Sequence, residues 1–154
     1  MTNELNTMTE SFPTTQIAKC RFLLVEDNAD AADSTAMLLQ LWGHEVYIAD
    51  DGERAVEIAT ELKPDIALLD IGLPALNGFE VAQHLRSRPE TANSVIIAVT
   101  GYNRPEHRAH ARQFGFDYYF HKPADMSCFQ NIPGGVSLRD AIAARLKSHP
   151  ELSV

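Results

Sequence analysis

The chain has 154 residues, of which 45% are hydrophobic and 22% charged, the balance of an ordinary globular protein with enough length for one domain's core. A formal net charge of −8 excludes the clustered Lys and Arg of a nucleic-acid-binding surface, and suits a site that gathers carboxylates around a cation. Cys20 and Cys128 stand in no CxxC or Cys/His pattern, no apolar run approaches the ~18 residues of a membrane helix, and the N-terminus lacks a signal peptide's basic stretch, so a cytoplasmic protein without disulfide framework or zinc site is expected.

Residues 1–18 mix Thr, Asn and Glu without periodicity and read as a flexible tail. Phe22-Leu23-Leu24-Val25 is the first buried strand and runs into Glu26-Asp27. Asn28 or Asp30 caps a helix through about Leu41, in which Met37, Leu38 and Leu41 fall at helical spacing, and Gly43 stops it. A short strand over 45–49 and the turn Asp50-Asp51-Gly52 precede an amphipathic helix marked by Ala55, Ile58, Ala59 and Leu62, which Pro64 ends.

The next strand, Ile66 to Asp70, is an apolar run that closes on a single carboxylate and then on Gly72 and Pro74. Such a run bounded by turn formers is buried on both faces, and its C-terminal end is where open α/β sheets place their chemistry. Asn77-Gly78 opens a helix carrying Val81, Ala82 and Leu85. Val95 to Val99 is the most apolar strand and ends in Thr100-Gly101. A helix from Pro105 to about Phe114 stops at Gly115. Tyr118-Tyr119-Phe120 is a last short strand that leads to Lys122-Pro123. Residues 124–136 are irregular, and a capping box at Ser137 starts a final helix to about Lys147, with a short tail over 149–154.

Strand and helix thus alternate five times, which implies right-handed βαβ units and one doubly wound parallel sheet with helices on both faces. Parallel strands bring their C-terminal ends to one edge, so Glu26-Asp27, Asp70, Thr100 and the region of Lys122 converge. Clustered carboxylates repel and are costly to bury, and a hard divalent cation resolves both problems. A hydroxyl and an ammonium beside them suit the oxygens of a phosphoryl group, so the constellation describes phosphoryl transfer onto a carboxylate. Each residue alone has a plainer reading: Asp70 as a strand-end turn residue, Glu26-Asp27 as a helix cap, Lys122 as surface charge, Tyr119 as core. His107 and His110 lie one turn apart with no third ligand nearby and read as solvated.

Residues 20–123 resemble a response-regulator receiver domain of two-component signalling systems. The matching stretches are Leu23-Leu24-Val25-Glu26-Asp27-Asn28, Leu68-Leu69-Asp70-Ile71-Gly72-Leu73-Pro74, Asn77-Gly78, Ala98-Val99-Thr100-Gly101-Tyr102, Gly115-Phe116-Asp117 and His121-Lys122-Pro123. The resemblance implies a flavodoxin-like sheet in the order 2-1-3-4-5, within a receiver domain over 19–148. It implies Asp70 as phosphoacceptor, and Mg2+ (or Mn2+) held by Asp27, Asp70, the Gly72 carbonyl and Glu26 through water. Thr100 and Lys122 meet the phosphoryl group, and Tyr119 is the switch aromatic that turns inward. Pro123, after a cis bond, sets the lysine's loop, and Gly101 leaves the site open to water or a small donor.

The expected phosphodonor is a sensor histidine kinase or a phosphotransfer protein, and the expected output is another protein, from a stand-alone monomer or weak homodimer that binds neither nucleic acid nor membrane. The protein is expected not to be an enzyme in the ordinary sense. An aspartyl-phosphate phosphatase would carry a second acid two residues after its nucleophile, where Gly72 stands. A receiver-like module that switches without phosphate is the other alternative, and a flavin-binding domain is disfavoured because Glu26 to Asp30 repels phosphate. Asn77 stands where the family commonly has aspartate. The larger departure is the insertion 124–136, by which the last helix is displaced along the sequence or preceded by an extra turn; in this family the fourth helix, fifth strand and last helix make the face that passes the signal on.

Overall fold

The structure is a computed structural model that describes residues 16–71, 78–101 and 105–154. Five strands, β1 (Arg21–Val25), β2 (Glu45–Ala49), β3 (Ile66–Asp70), β4 (Val95–Thr100) and β5 (Tyr118–His121), form one parallel sheet in the order β2-β1-β3-β4-β5. The helices are α1 (Ala29–Leu41), α2 (Gly52–Leu62), α3 (Gly78–Ser87), α4 (Pro105–Gln113) and α5 (Leu138–Leu146). The expected sheet order and strand-helix alternation are both present.

Alternate residues of the central strands feed two cores. Ile66, Leu68, Val95, Ile97, Val99 and Phe120 pack beneath α1 and α5, whereas Ala67, Leu69, Ile96, Ala98 and Tyr119 pack beneath α2, α3 and α4. Burial on both faces is the reason these strands read as unbroken apolar runs. Each fully buried Leu or Ile contributes ~1.5–3 kcal/mol of transfer free energy, so the central strands anchor the fold. Asn28, Asp51 and Ser137 cap α1, α2 and α5, each accepting a backbone N–H with its side chain.

The face that α1 buries differs from the expected stripe. Ala32, Ala36 and Leu39 are in the core, while Met37 and Leu41 are 63% and 79% exposed and Leu38 is partly so. Alanines let the helix lie close on the sheet, and the larger residues are turned outward, so one side of α1 is an apolar surface.

Residues 124–136 are not a surface loop. A short 3-10 turn at Ser127–Phe129 drives Phe129 into the core, and Ile132 follows it, both fully buried. The Phe129 ring meets Phe22 edge-on with centroids 5.2 Å apart. Buried His44 ties the segment down: Nδ1 accepts from the Cys20 N–H at 3.0 Å, which leaves Nε2 to donate to the Phe129 carbonyl at 2.7 Å. Gln16–Ala18, expected within the tail, pair with this same segment through Ile17 and Pro133. At the other end of the chain Pro150–Leu152 form a 3-10 turn, and Ser153 bridges Tyr118 on the outer edge of β5. Gln16–Ala18 and Pro150–Ser153, within the expected tails at 1–18 and 149–154, make these contacts, and residues 1–15 lie outside the described residues. No helix among the described residues is long and apolar enough to cross a membrane.

The sheet's N-terminal rim is clamped by charge. Asp117 accepts from Arg86 and Arg139, both at 2.8 Å, and from the Ile96 N–H at 2.8 Å. Arg86 also donates to the carbonyls of Gly115, Ala92 and Ser94. Burial lowers the Arg86 pKa, and the Asp117 carboxylate works against that fall.

Candidate functional site

The parallel ladder sets β1, β3, β4 and β5 side by side, so their ends open on one rim. Val25 ends β1 and passes the chain to Glu26 and Asp27, while Asp70 ends β3, Thr100 ends β4, and Lys122 directly follows β5. One oxygen from each of Glu26, Asp27 and Asp70 lies within 4.8 Å of the other two. The Lys122 ammonium stands 2.6 Å from Glu26 and 3.1 Å from Asp70. The Lys122–Pro123 peptide bond is cis.

Electrostatics follow from this crowding. Burial raises the pKa of the Glu26 carboxyl; Lys122 pulls it down through a hydrogen bond, and the neighbouring Asp70 carboxyl pushes it up again. For Lys122 burial works toward a lower pKa, but hydrogen bonds and charge from Glu26 and Asp70 outweigh it and the group is held above its ordinary value. Three hard oxygen donors crowded beside a single ammonium are a donor set that fits a hard divalent cation.

Thr100 is fully buried and shares a hydrogen bond with the Tyr119 side chain. Tyr119 is itself 1% exposed, already inside the molecule on the α4 face, while neighbouring Phe120 fills the opposite core. The three consecutive aromatics of β5 thus divide between the two faces. Gly101 is exposed, with nothing within 4 Å of where a Cβ would stand. Gly72, the expected carbonyl ligand, and Asn77 lie outside the described residues.

Two neighbours of the site escaped the sequence. Gly78, the first residue of α3, would place a Cβ 2.9 Å from the Asp70 carbonyl oxygen, so only glycine lets the helix start this close to the acid. Its place after Asn77 marked a helix start but not what it touches. A cavity of about 540 Å³ opens beside the carboxylates, walled by Leu24, Leu38, Leu68, Val99 and Met126, with Glu26, Asp70 and Lys122 at one end. Sequence could not show it, because its walls come from α1, three strands and the 122–126 stretch, which only the fold brings together.

Residues 22–132 match the response regulator receiver domain. The chain is 32% identical over 105 residues to protein PilH of Pseudomonas aeruginosa, a span covering 68% of this chain and 87% of PilH. It is 31% identical over 106 residues to the DNA-binding dual master transcriptional regulator RpaA of Synechocystis, covering 69% of this chain but 44% of RpaA. The chain thus spans less than half the length of that relative. Among solved structures it is similar to the CheY-like response regulator receiver domain protein of Methanospirillum hungatei, with a TM-score of 0.66 and 27% identity over 87% of this chain and 98% of that one.

Proposed function

The chain belongs to the response regulator receiver domain family of two-component signalling, and from that premise we propose that Asp70 accepts a phosphoryl group from a histidine kinase or phosphotransfer protein, with Mg2+ or Mn2+ held between Glu26, Asp27, Asp70 and the Gly72 carbonyl. The observation that carries this reading is the meeting of three carboxylates within 4.8 Å with the Lys122 ammonium 3.1 Å from Asp70.

In the reaction a carboxylate oxygen of Asp70 attacks the phosphorus of a phosphohistidine. The new P–O bond forms as the P–N bond breaks, and the imidazole leaves with the electron pair and takes a proton from water. The divalent cation, when bound, neutralises charge on the phosphoryl oxygens. Lys122 follows the charge: it pairs with Asp70 before transfer and with a phosphoryl oxygen after it. The Thr100 hydroxyl meets another phosphoryl oxygen by giving up its bond to Tyr119. Glu26 and Asp27 hold the cation, and the fixed strand ends position all of these groups before the donor arrives. The cavity beside the acids, which Leu38 of α1 helps to line, offers an apolar surface on which a donor protein can rest while its imidazole enters.

The reading is tested by incubating the protein with Mg2+ and acetyl phosphate and measuring intact mass. One phosphoryl adduct is expected in the wild type and none in Asp70→Asn. An adduct that survives Asp70→Asn moves the acceptor to another residue, and no adduct at all in the wild type favours a module that switches without phosphate.

A further inference from the structure

The cavity beside the carboxylates is built mostly by side chains with no part in holding a cation. Leu24, Leu68 and Val99, from β1, β3 and β4, belong to the core beneath α1 and α5 and line it from the sheet. Small residues leave the space: Ala31 stands in the α1 wall, and Ala124 in the stretch that follows Lys122. Leu38 and Met126 complete the apolar lining, the first partly exposed and the second buried. At about 540 Å³ the cavity lies within the ~300–1,000 Å³ of sites that take a small molecule.

The cavity has two chemically different ends. Glu26, Asp70 and Lys122 are its charged residues, and Thr35 of α1 adds a hydroxyl to the otherwise apolar walls. A hydrated cation gains nothing from apolar surface, so the carboxylate site alone does not account for those walls. Phosphoryl transfer constrains what else stands there. An oxygen of Asp70 attacks phosphorus from one side, and the leaving group departs on the opposite side. Because Asp70 itself lines the cavity at one end, a leaving group directed away from it enters the apolar part.

We propose that this cavity receives the leaving group of a small phosphodonor, and that the donors it selects are acyl phosphates with an apolar acyl chain. The selection rests on the phosphoacceptor reading above. The Asp70 oxygen forms the new P–O bond as the P–O bond to the acyl group breaks. The carboxylate leaves with the electron pair and needs no proton at neutral pH. The chain packs on Leu38, Val99 and Met126, and the Thr35 hydroxyl donates to the acyl carbonyl oxygen. Each methylene that fits is removed from water, which favours the longer donor. Once released, the product is an anion beside Glu26 and the new phosphoryl group, and repulsion from both drives it out.

The test compares hexanoyl phosphate with acetyl phosphate, at equal subsaturating concentration, on the full chain with Mg2+, reading the rate of the phosphoryl adduct by intact mass. The two leaving acids are of nearly equal strength, so a difference in rate reports contacts made by the chain. Hexanoyl phosphate is expected to react roughly tenfold faster. Equal rates overturn the selection, whereas no adduct from either donor overturns the phosphoacceptor reading on which it stands. Leu38→Trp fills the cavity from a partly exposed position, where the fold has room for the ring, and is expected to bring the ratio of the two rates down toward one. An undiminished ratio in that variant overturns the placement of the acyl chain in the cavity.

Discussion

The Lys122 ammonium stands closer to Glu26, at 2.6 Å, than to Asp70, at 3.1 Å. The lysine thus compensates the most buried acid of the cluster and the proposed nucleophile together. Lys122→Met leaves Glu26, 6% exposed, facing two other carboxylates alone. Because Lys122 is itself 36% exposed, the expected loss without metal is modest, about 1 kcal/mol, after discounting for solvent. Urea titrations with and without Mg2+ check this: the variant is expected to be rescued by Mg2+ more than the wild type is stabilised by it, because the cation replaces the missing charge.

Asp117 is expected to matter for stability and not for phosphoryl uptake. It accepts from two guanidinium groups and one backbone N–H at the rim opposite the site. Asp117→Ala strands Arg86 among carbonyls in a half-buried place, and a loss of about 2–4 kcal/mol is expected in chemical denaturation. The rate of adduct formation with acetyl phosphate in the folded variant is expected to match the wild type.

Phe129→Ala is expected to cost ~3–5 kcal/mol, the range for removing a fully buried aromatic. Such a cost in thermal or urea melts distinguishes an insertion that completes the core from one that decorates it. A change near zero would mean the segment swings out without consequence.

Both thiols hold their protons tightly. Burial, with a smaller contribution from Asp65, raises the pKa of Cys20 to about 11, and burial followed by Asp125 raises that of Cys128 to about 12. At pH 8 roughly one Cys20 in a thousand is thiolate, so both cysteines are expected to react with iodoacetamide far more slowly than in urea. The unfolded chain releases these protons near the ordinary thiol value of 9.0, whereas the folded chain keeps them to higher pH. Between those values the folded state binds more protons, so this contribution to stability is intact below pH 9 and falls as pH rises through about 11 and 12. Melting temperatures measured across pH 8–11 check the sign, and Cys20→Ala is expected to flatten the decline.

Gly78→Ala is expected to damage the site from behind. Its Cβ meets the Asp70 carbonyl oxygen at 2.9 Å and the Ile71 Cα at 3.0 Å, both backbone atoms. Strain of about 1–3 kcal/mol is expected, with slower uptake from acetyl phosphate as the acid is displaced.

The sheet and the meeting of Glu26, Asp27, Asp70 and Lys122 were legible because both rest on strand periodicity. A parallel sheet turns strand ends into neighbours whatever their separation in the chain. Features set by side-chain packing were not. Met37, Leu38 and Leu41 keep the spacing of a buried stripe, yet alanines face the sheet, and spacing alone cannot rank two apolar faces of one helix. Arg86 reads as surface charge on α3 until the carbonyls of Ala92, Ser94 and Gly115 surround it. Phe129 and Ile132 sit in a stretch with no period, so their burial leaves no pattern to find. Tyr119 lies in a run of three aromatics, and the register of β5 against β4 decides which face each takes.

The clamp of Arg86, Asp117 and Arg139 fixes β4 and β5 at their roots, through Ile96 at the base of one strand and Asp117 before the other. At the opposite rim Lys122 is tied to Glu26 and Asp70 by its ammonium and to the Thr100 carbonyl by its backbone N–H. The two strands are therefore held at both ends, at the root by the guanidinium clamp and at the tips by the lysine. Mutations should divide the same way: changes at the root are expected to cost stability, and changes at the tips phosphoryl uptake.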